Sequence, residues 1–176
     1  MITQHYYLQA PTVITTTDLG ASQELRDKWA EEAYNLGALS YKTNLQTQMS
    51  SYHVWQETKV YNELLDALQN TINKTHNTKS GVYDDSAYYI DEAWSVVYRE
   101  NDYAKTHSHN RFHLAFCYYI KVGNNTSELV FDDLEFTITP KNDMLVIFDA
   151  SLRHSVAPHV GEDRIVFAGN CSIRGK

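Results

Sequence analysis

The chain has 176 residues, 43% hydrophobic and 21% charged, which suits one soluble globular domain with a single sizeable core. A formal net charge of −7 with 15 scattered basic residues argues against a nucleic-acid phosphate grip, which needs a basic stripe. The start, MITQHYYLQAPT, lacks a charged segment followed by an apolar run, and no apolar stretch approaches the ~20 residues of a membrane span. A cytoplasmic protein is expected. Two cysteines, Cys117 and Cys171, are too few for a disulfide framework or a cysteine-based zinc site, and read as free buried thiols.

Taken in chain order, residues 12–16 (TVITT) read as a short strand. A helix is expected over 22–36, where Leu25, Trp29, Ala33 and Leu36 recur at helical spacing and Gly37 supplies the stop. A second is expected over 58–75, with the stripe Val60, Leu64, Leu68 and Ile72. Each stripe reads as one buried face packed on something larger. From Gly81 the pattern changes to short strands over 87–90, 93–99, 112–122, 128–131, 135–139, 144–148, 154–157 and 164–171. Gly123-Asn-Asn, Pro140-Lys-Asn-Asp and Gly161-Glu-Asp separate several of them with turn-forming residues. Such a series predicts a sandwich or barrel, with the helices covering one outer sheet face. The chain is read as a single domain over 1–176, with a helical and strand covering segment over 1–80 and a β core over 81–176.

The most informative stretch is THSHNRFHLAFCYYI, residues 106–120. His107, His109 and His113 fall at odd positions, so in one continuous strand all three imidazoles project to one side. That is a costly way to build a core and a natural way to start a metal site. A late histidine, His154, and Arg164 ten residues beyond it strengthen this reading. Non-haem Fe(II) oxygenases commonly bind iron through two histidines and a carboxylate. Here His107-Ser-His109 forms the near pair, and His109 stands where the carboxylate is usual. His113 reads as a ligand, a donor to a ligand, or pocket lining. His5, His53, His76 and His159 read as surface or turn residues. Arg164 either pairs at the surface with Glu162 or Asp163, or turns inward to grip a carboxylate through two parallel hydrogen bonds. If it turns inward, Val166, Ala168 and Asn170 share its face.

Ala93-Trp-Ser-Val-Val-Tyr, Asn101-Asp-Tyr, His107-x-His109 and Cys117-Tyr-Tyr-Ile resemble a bacterial and phage family of 2-oxoglutarate/Fe(II)-dependent oxygenases related to prolyl hydroxylases. Glu128-Leu-Val-Phe, Pro140 through Leu145-Val-Ile-Phe, Leu152-Arg-His154-Ser-Val, Pro158 and Arg164-Ile-Val-Phe-Ala-Gly-Asn170 follow in the family's order. The resemblance covers residues 90–171. Over 1–89 it is only a similar layout of helices and a Trp55-Gln56 element. It implies a mainly β fold with flanking helices, a double-stranded β-helix of the jelly-roll, cupin-like kind. It also implies Fe(II) as cofactor near His107, His109 and His154, and 2-oxoglutarate as cosubstrate with its distal carboxylate on Arg164. Tyr119 matches a cosubstrate-contacting tyrosine, and Tyr98 lines the same pocket. The implied reaction consumes O2, releases succinate and CO2, and hydroxylates a substrate that the sequence does not identify.

The His-x-His form leaves two ligand sets open. Either three histidines bind iron, or one of the pair stands outside and a carboxylate such as Asp149 or Asp133 completes the site. The family's glycine before Asp-Tyr is Asn101 here, and asparagine also tolerates positive φ. Phe116, Tyr119 and Phe148 are expected to give the pocket an apolar aromatic lining. Two competing readings are a cupin-type metal dioxygenase or isomerase, using His107, His109, His113 and His154 without 2-oxoglutarate, and a non-catalytic jelly-roll binding protein. Oligomeric state, including a homo-oligomer, is not legible. The abundance of Asn and Tyr suits an AT-rich phage or bacterial genome.

Overall fold

The structure, a computed structural model, describes residues 3–9, 12–36, 44–76 and 88–173. β1 (Thr3–Gln9) and β2 (Thr12–Asp18) pair antiparallel and lead into helix α1 (Gln23–Asn35). The two-residue strands β3 (Leu45–Gln46) and β4 (Gln48–Met49) precede α2 (Val60–His76). The second half supplies β5 (Tyr88–Tyr98), β6 (Tyr103–His107), β7 (Leu114–Lys121), β8 (Leu129–Phe131), β9 (Phe136–Ile138), β10 (Met144–Asp149), β11 (His154–Val156) and β12 (Arg164–Ile173). Together the twelve strands form a seven-stranded sheet, in order β1-β2-β10-β7-β12-β5-β4, facing a five-stranded sheet, β3-β6-β11-β8-β9. This is the expected double-stranded β-helix. No helix among the described residues is long and apolar enough to cross a membrane.

Side-chain alternation along the large sheet divides the interior into two cores. Ile165 and Phe167 of β12, with Phe116, Tyr118 and Ile120 of β7, face the helices and meet Trp29, Tyr61, Leu64, Leu68 and Ile72. Val166 and Ala168, with Ala115 and Tyr119, face the small sheet and meet Phe131, Phe148 and Val156. A strand buried on both faces must be apolar throughout, which explains the nearly unbroken run RIVFAG. The Tyr61 hydroxyl donates to the Trp29 carbonyl at 3.0 Å and joins the two helices.

Both predicted helices are present, one or two residues shorter at their N-termini. Ser22 caps α1, its Oγ accepting from Leu25 N–H at 3.2 Å. Gly37 lies outside the described residues. The predicted strands 87–90 and 93–99 are one strand, β5, because Asp91 and Glu92 fit its alternation instead of breaking it, while Ala87 lies outside the described residues. β1, β3 and β4 carry no strong period-two signal and were not anticipated.

The stretch 106–120 is not one strand. β6 ends at His107 in the small sheet and β7 begins at Leu114 in the large one. Residues 108–113 cross between the sheets, held by His109 N–H on Ala150 O at 2.7 Å and His113 N–H on Cys171 O at 2.9 Å. Parity holds only within a continuous strand, so the alternation argument does not reach His113, which is exposed. Nor is His159 a surface residue. It is 0% exposed, with its N–H on Asp102 O at 2.7 Å and its carbonyl accepting from Asn101 N–H at 2.8 Å. It braces the turn in which Asn101 adopts φ 68°, as expected of a glycine substitute.

Asp143 ties the N-terminal segment to the sheet. Its carboxylate accepts from Gly20 N–H (2.9 Å), Ala21 N–H (3.1 Å) and the Tyr118 hydroxyl (2.9 Å). Its own φ is 70°. Asp143→Ala removes three acceptor contacts and puts alanine in a left-handed conformation. It should lower unfolding free energy in urea by about 1–3 kcal/mol, with metal uptake by the folded protein unchanged. A loss under ~0.5 kcal/mol, the level of an ordinary surface substitution, would show that the contacts do not anchor this junction.

Candidate metal and ligand site

β6 and β11 pair antiparallel with His107 directly opposite His154. Their ring centroids are 4.3 Å apart. His109, two residues beyond β6, stacks on His154 at 5.3 Å with an interplanar angle of 23°. One nitrogen from each of the three imidazoles lies within 4.8 Å of the others, a separation that side-chain rotation can close onto a single ion. Two rings are held in a defined tautomer. His107 Nδ1 lies 2.7 Å from Lys105 O and His154 Nδ1 lies 2.9 Å from Leu152 O. A carbonyl only accepts, so Nδ1 carries the proton in both rings and the Nε2 lone pair is left for a ligand bond.

The same histidines form one end of a small cavity between the sheets, with Tyr98, Cys117, Tyr119, Phe148, Arg164 and Val166 among its walls. Arg164 is 1% exposed. Its Nη1 donates to Ser127 O at 2.6 Å and its guanidinium carbon lies 4.2 Å from the Tyr98 ring centroid. Its Nε has no hydrogen-bond partner, and no carboxylate pairs with it among the described residues. The surface alternative, pairing with Glu162 or Asp163, is therefore not what the fold adopts. Val166 and Ala168 line the same cavity and Asn170 an adjoining cleft, as the inward reading requires. A buried guanidinium without a counter-ion is costly and fits an anionic ligand.

Burial pulls His109 down to about 3 and His154 down to about 4, with the neighbouring imidazoles adding to the effect. Burial lowers His107 as well, against its hydrogen bond to Lys105 O. All three are neutral near pH 7, the state that binds a metal. Burial also raises the Tyr98 hydroxyl to about 12 despite Arg164 beside it, and moves Tyr119 upward. The Cys117 thiol rises to about 12 for the same reason and stays protonated.

The carboxylate alternatives fall elsewhere. Asp149 is exposed and its Oδ1 accepts from Ser151 N–H and Oγ at 2.8 and 2.6 Å. Asp133 is exposed and pairs with Arg153 at 3.3 Å. Phe116 belongs to the helix-side core and also lines the cavity, as expected; a Cβ at neighbouring Gly169 would lie 2.5 Å from its ring. Two residues on the histidine side of the large sheet were missed. Cys117 shares parity with Tyr119 on β7, which would have placed it. Trp94, whose ring lies 6.0 Å from His109, shares parity with Tyr98 on β5.

No family model matches the chain, and no curated protein does so by sequence. Its fold is similar to several solved structures. A viral collagen prolyl hydroxylase from Paramecium Bursaria Chlorella virus-1, in complex with 2-oxoglutarate, superposes with a TM-score of 0.69 at 16% identity, covering 90% of this chain and 94% of that one. A Pseudomonas putida prolyl-4-hydroxylase gives 0.66 at 16% identity over 94% and 95% of the two chains. HygX from Streptomyces hygroscopicus, with nickel and 2-oxoglutarate bound, gives 0.68 at 9% identity over 90% and 82%. The chain thus has the fold of 2-oxoglutarate oxygenases.

The lowered histidine values set a pH dependence. Each folded value lies below the ordinary 6.5, so the unfolded chain protonates first and stability falls as pH drops through that window. Metal-free protein should have full stability above about pH 7 and lose it measurably by about pH 5.5, where carboxylates scarcely titrate. Urea unfolding at the two values tests this. Equal stabilities would contradict the neutral, buried state of His109 and His154.

Proposed function

We propose that the chain is a non-haem Fe(II), 2-oxoglutarate-dependent oxygenase that hydroxylates a substrate C–H bond. One observation carries this reading. Arg164, buried and without a counter-ion among the described residues, shares a cavity with three neutral imidazoles, two of which have Nδ1 tied to backbone carbonyls. When bound, Fe(II) and 2-oxoglutarate supply O2 activation coupled to oxidative decarboxylation of the cosubstrate to succinate and CO2. His107, His109 and His154 would hold the iron. Being uncharged, these side chains leave the ion's two positive charges to be neutralised by an anionic ligand. Arg164 would orient the cosubstrate's distal carboxylate, with its cavity neighbour Tyr119 lining the same pocket and Tyr98 buttressing the guanidinium from below. Phe148, Leu129 and Val166 exclude water, which strengthens the guanidinium–carboxylate contact.

The cupin-type reading needs His113 beside the other histidines. His113 is exposed and absent from the group. That reading also gives Arg164 no task.

Anaerobic titration of Fe(II)-loaded protein with 2-oxoglutarate should produce a weak visible charge-transfer band from two-point chelation. Arg164→Leu should retain iron and need roughly tenfold to a hundredfold more cosubstrate, given ~1.5–3 kcal/mol for a hydrogen bond to a charged group. Iron binding without the band would overturn the cosubstrate assignment, and failure to bind iron would overturn the metal site. An unchanged cosubstrate requirement in the variant would remove Arg164 from its role.

A further inference from the structure

Next to the histidines lies a second, wider cleft of about 420 Å³, bordered by His107 and His109 on one side. It also includes Tyr52, Trp94 and Phe112, one carboxylate, Glu92, and the side chains of Arg111 and Asn170. Tyr52 and Trp94 meet edge to face, ring centroids 5.2 Å apart. Glu92 is held in place from the interior. Asn170, 1% exposed, donates its Nδ2–H to Glu92 Oε2 at 3.1 Å. The Glu92 side chain is itself only 14% exposed. Aromatic faces around one fixed carboxylate make a site for an organic cation, because the ring quadrupoles and the carboxylate both attract positive charge.

The chain itself puts a cation there. Arg111 Nη2 lies 2.5 Å from Glu92 Oε1, and its guanidinium carbon lies 4.8 Å from the Phe112 centroid. Yet the Arg111 side chain is 75% exposed and sits in the crossing segment between β6 and β7. An ion pair with one partner that open to water holds weakly and exchanges readily. Glu92 is the built part of the pair and Arg111 the loose part.

We propose that this cleft is the substrate site and that it takes a guanidinium-bearing cation, which displaces Arg111 from Glu92. The inference rests on the oxygenase reading, since the cleft gains its meaning from the histidines along its edge. Glu92 is the specificity-determining residue, Asn170 its positioning residue, and Arg111 an internal placeholder. A cation anchored on Glu92 would present its aliphatic carbons toward His107 and His109, where hydroxylation is proposed to occur. The net charge of −7 favours approach of such a substrate.

The test uses metal-free full-length protein and calorimetric titration, so its outcome is independent of iron and 2-oxoglutarate. The probes are Nα-acetyl-L-arginine methylamide, its neutral citrulline counterpart and its anionic glutamate counterpart. The arginine probe should bind at least roughly tenfold tighter than the citrulline probe, the scale of one hydrogen bond to a charged group. Arg111→Ala, a change at an exposed side chain, should tighten arginine binding by removing the competitor. Glu92→Gln should abolish the preference for arginine over citrulline. Equal affinity for the arginine and citrulline probes would overturn the proposal. So would weaker arginine binding in Arg111→Ala, or a preference for the glutamate probe that Arg111→Ala removes. None of these results alters the visible band that tests chelation, and absence of that band leaves the probe ranking intact.

Discussion

The pairing of β6 with β11 is the constraint on which the site depends. It puts His107 opposite His154, from segments 47 residues apart in the sequence. The Nδ1–H of each donates to the carbonyl two residues before it in its own chain. The same local contact thus occurs on both antiparallel strands and leaves an Nε2 lone pair available on each. A one-residue slip in this register would carry one imidazole to the opposite face of the small sheet. His109 needs no strand of its own, because its backbone is bound to Ala150 and its ring stacks on His154.

The large sheet is the platform that holds Arg164 in the same cavity. β12 lies between β5 and β7 and is covered on its other face by both helices, so the guanidinium is placed by a strand buried on two sides. Isolated charges are seldom buried at such a cost unless something compensates them. Among the described residues the compensation is partial: Ser127 O accepts from Nη1 and Tyr98 lies against the guanidinium, but Nε has no partner. The three imidazoles at the other end of the cavity are themselves neutral. The cavity as a whole is therefore electropositive at one end and rich in neutral lone pairs at the other, which suits a metal ion together with an anion that spans the gap.

Helix packing and site geometry are linked through strand alternation. Trp29 and Tyr61 of the helices meet Phe167 of β12 in the outer core, with the Tyr61 and Phe167 centroids 4.9 Å apart, while Val166 and Ala168, one position to either side of Phe167, line the cavity. Shifting the outer core would tilt the strands that carry the site. Asp143 secures the edge of this arrangement by fixing the start of α1 against β10 and Tyr118.

The sequence by itself determined the two helices, most of the strands and the residue types of the site, because these follow from local periodicity and from the scarcity of buried histidine and arginine. Parity within β12 also placed Val166 and Ala168 beside Arg164 correctly. Tertiary structure decided what parity could not carry across a break. The run from Thr106 to Ile120 looks continuous, yet it changes sheets after His107, which brings His109 beside His107 and His154 and leaves His113 exposed. Only the fold could show that Asp133 and Asp149 face water, since an exposed and a ligating carboxylate read alike in one dimension. His159 looked like a turn residue and proved fully buried, because the chain folds its turn over the one at Asn101. Local spacing fixes which side chains can share a face. Which faces meet depends on long-range hydrogen bonding between strands far apart in the chain.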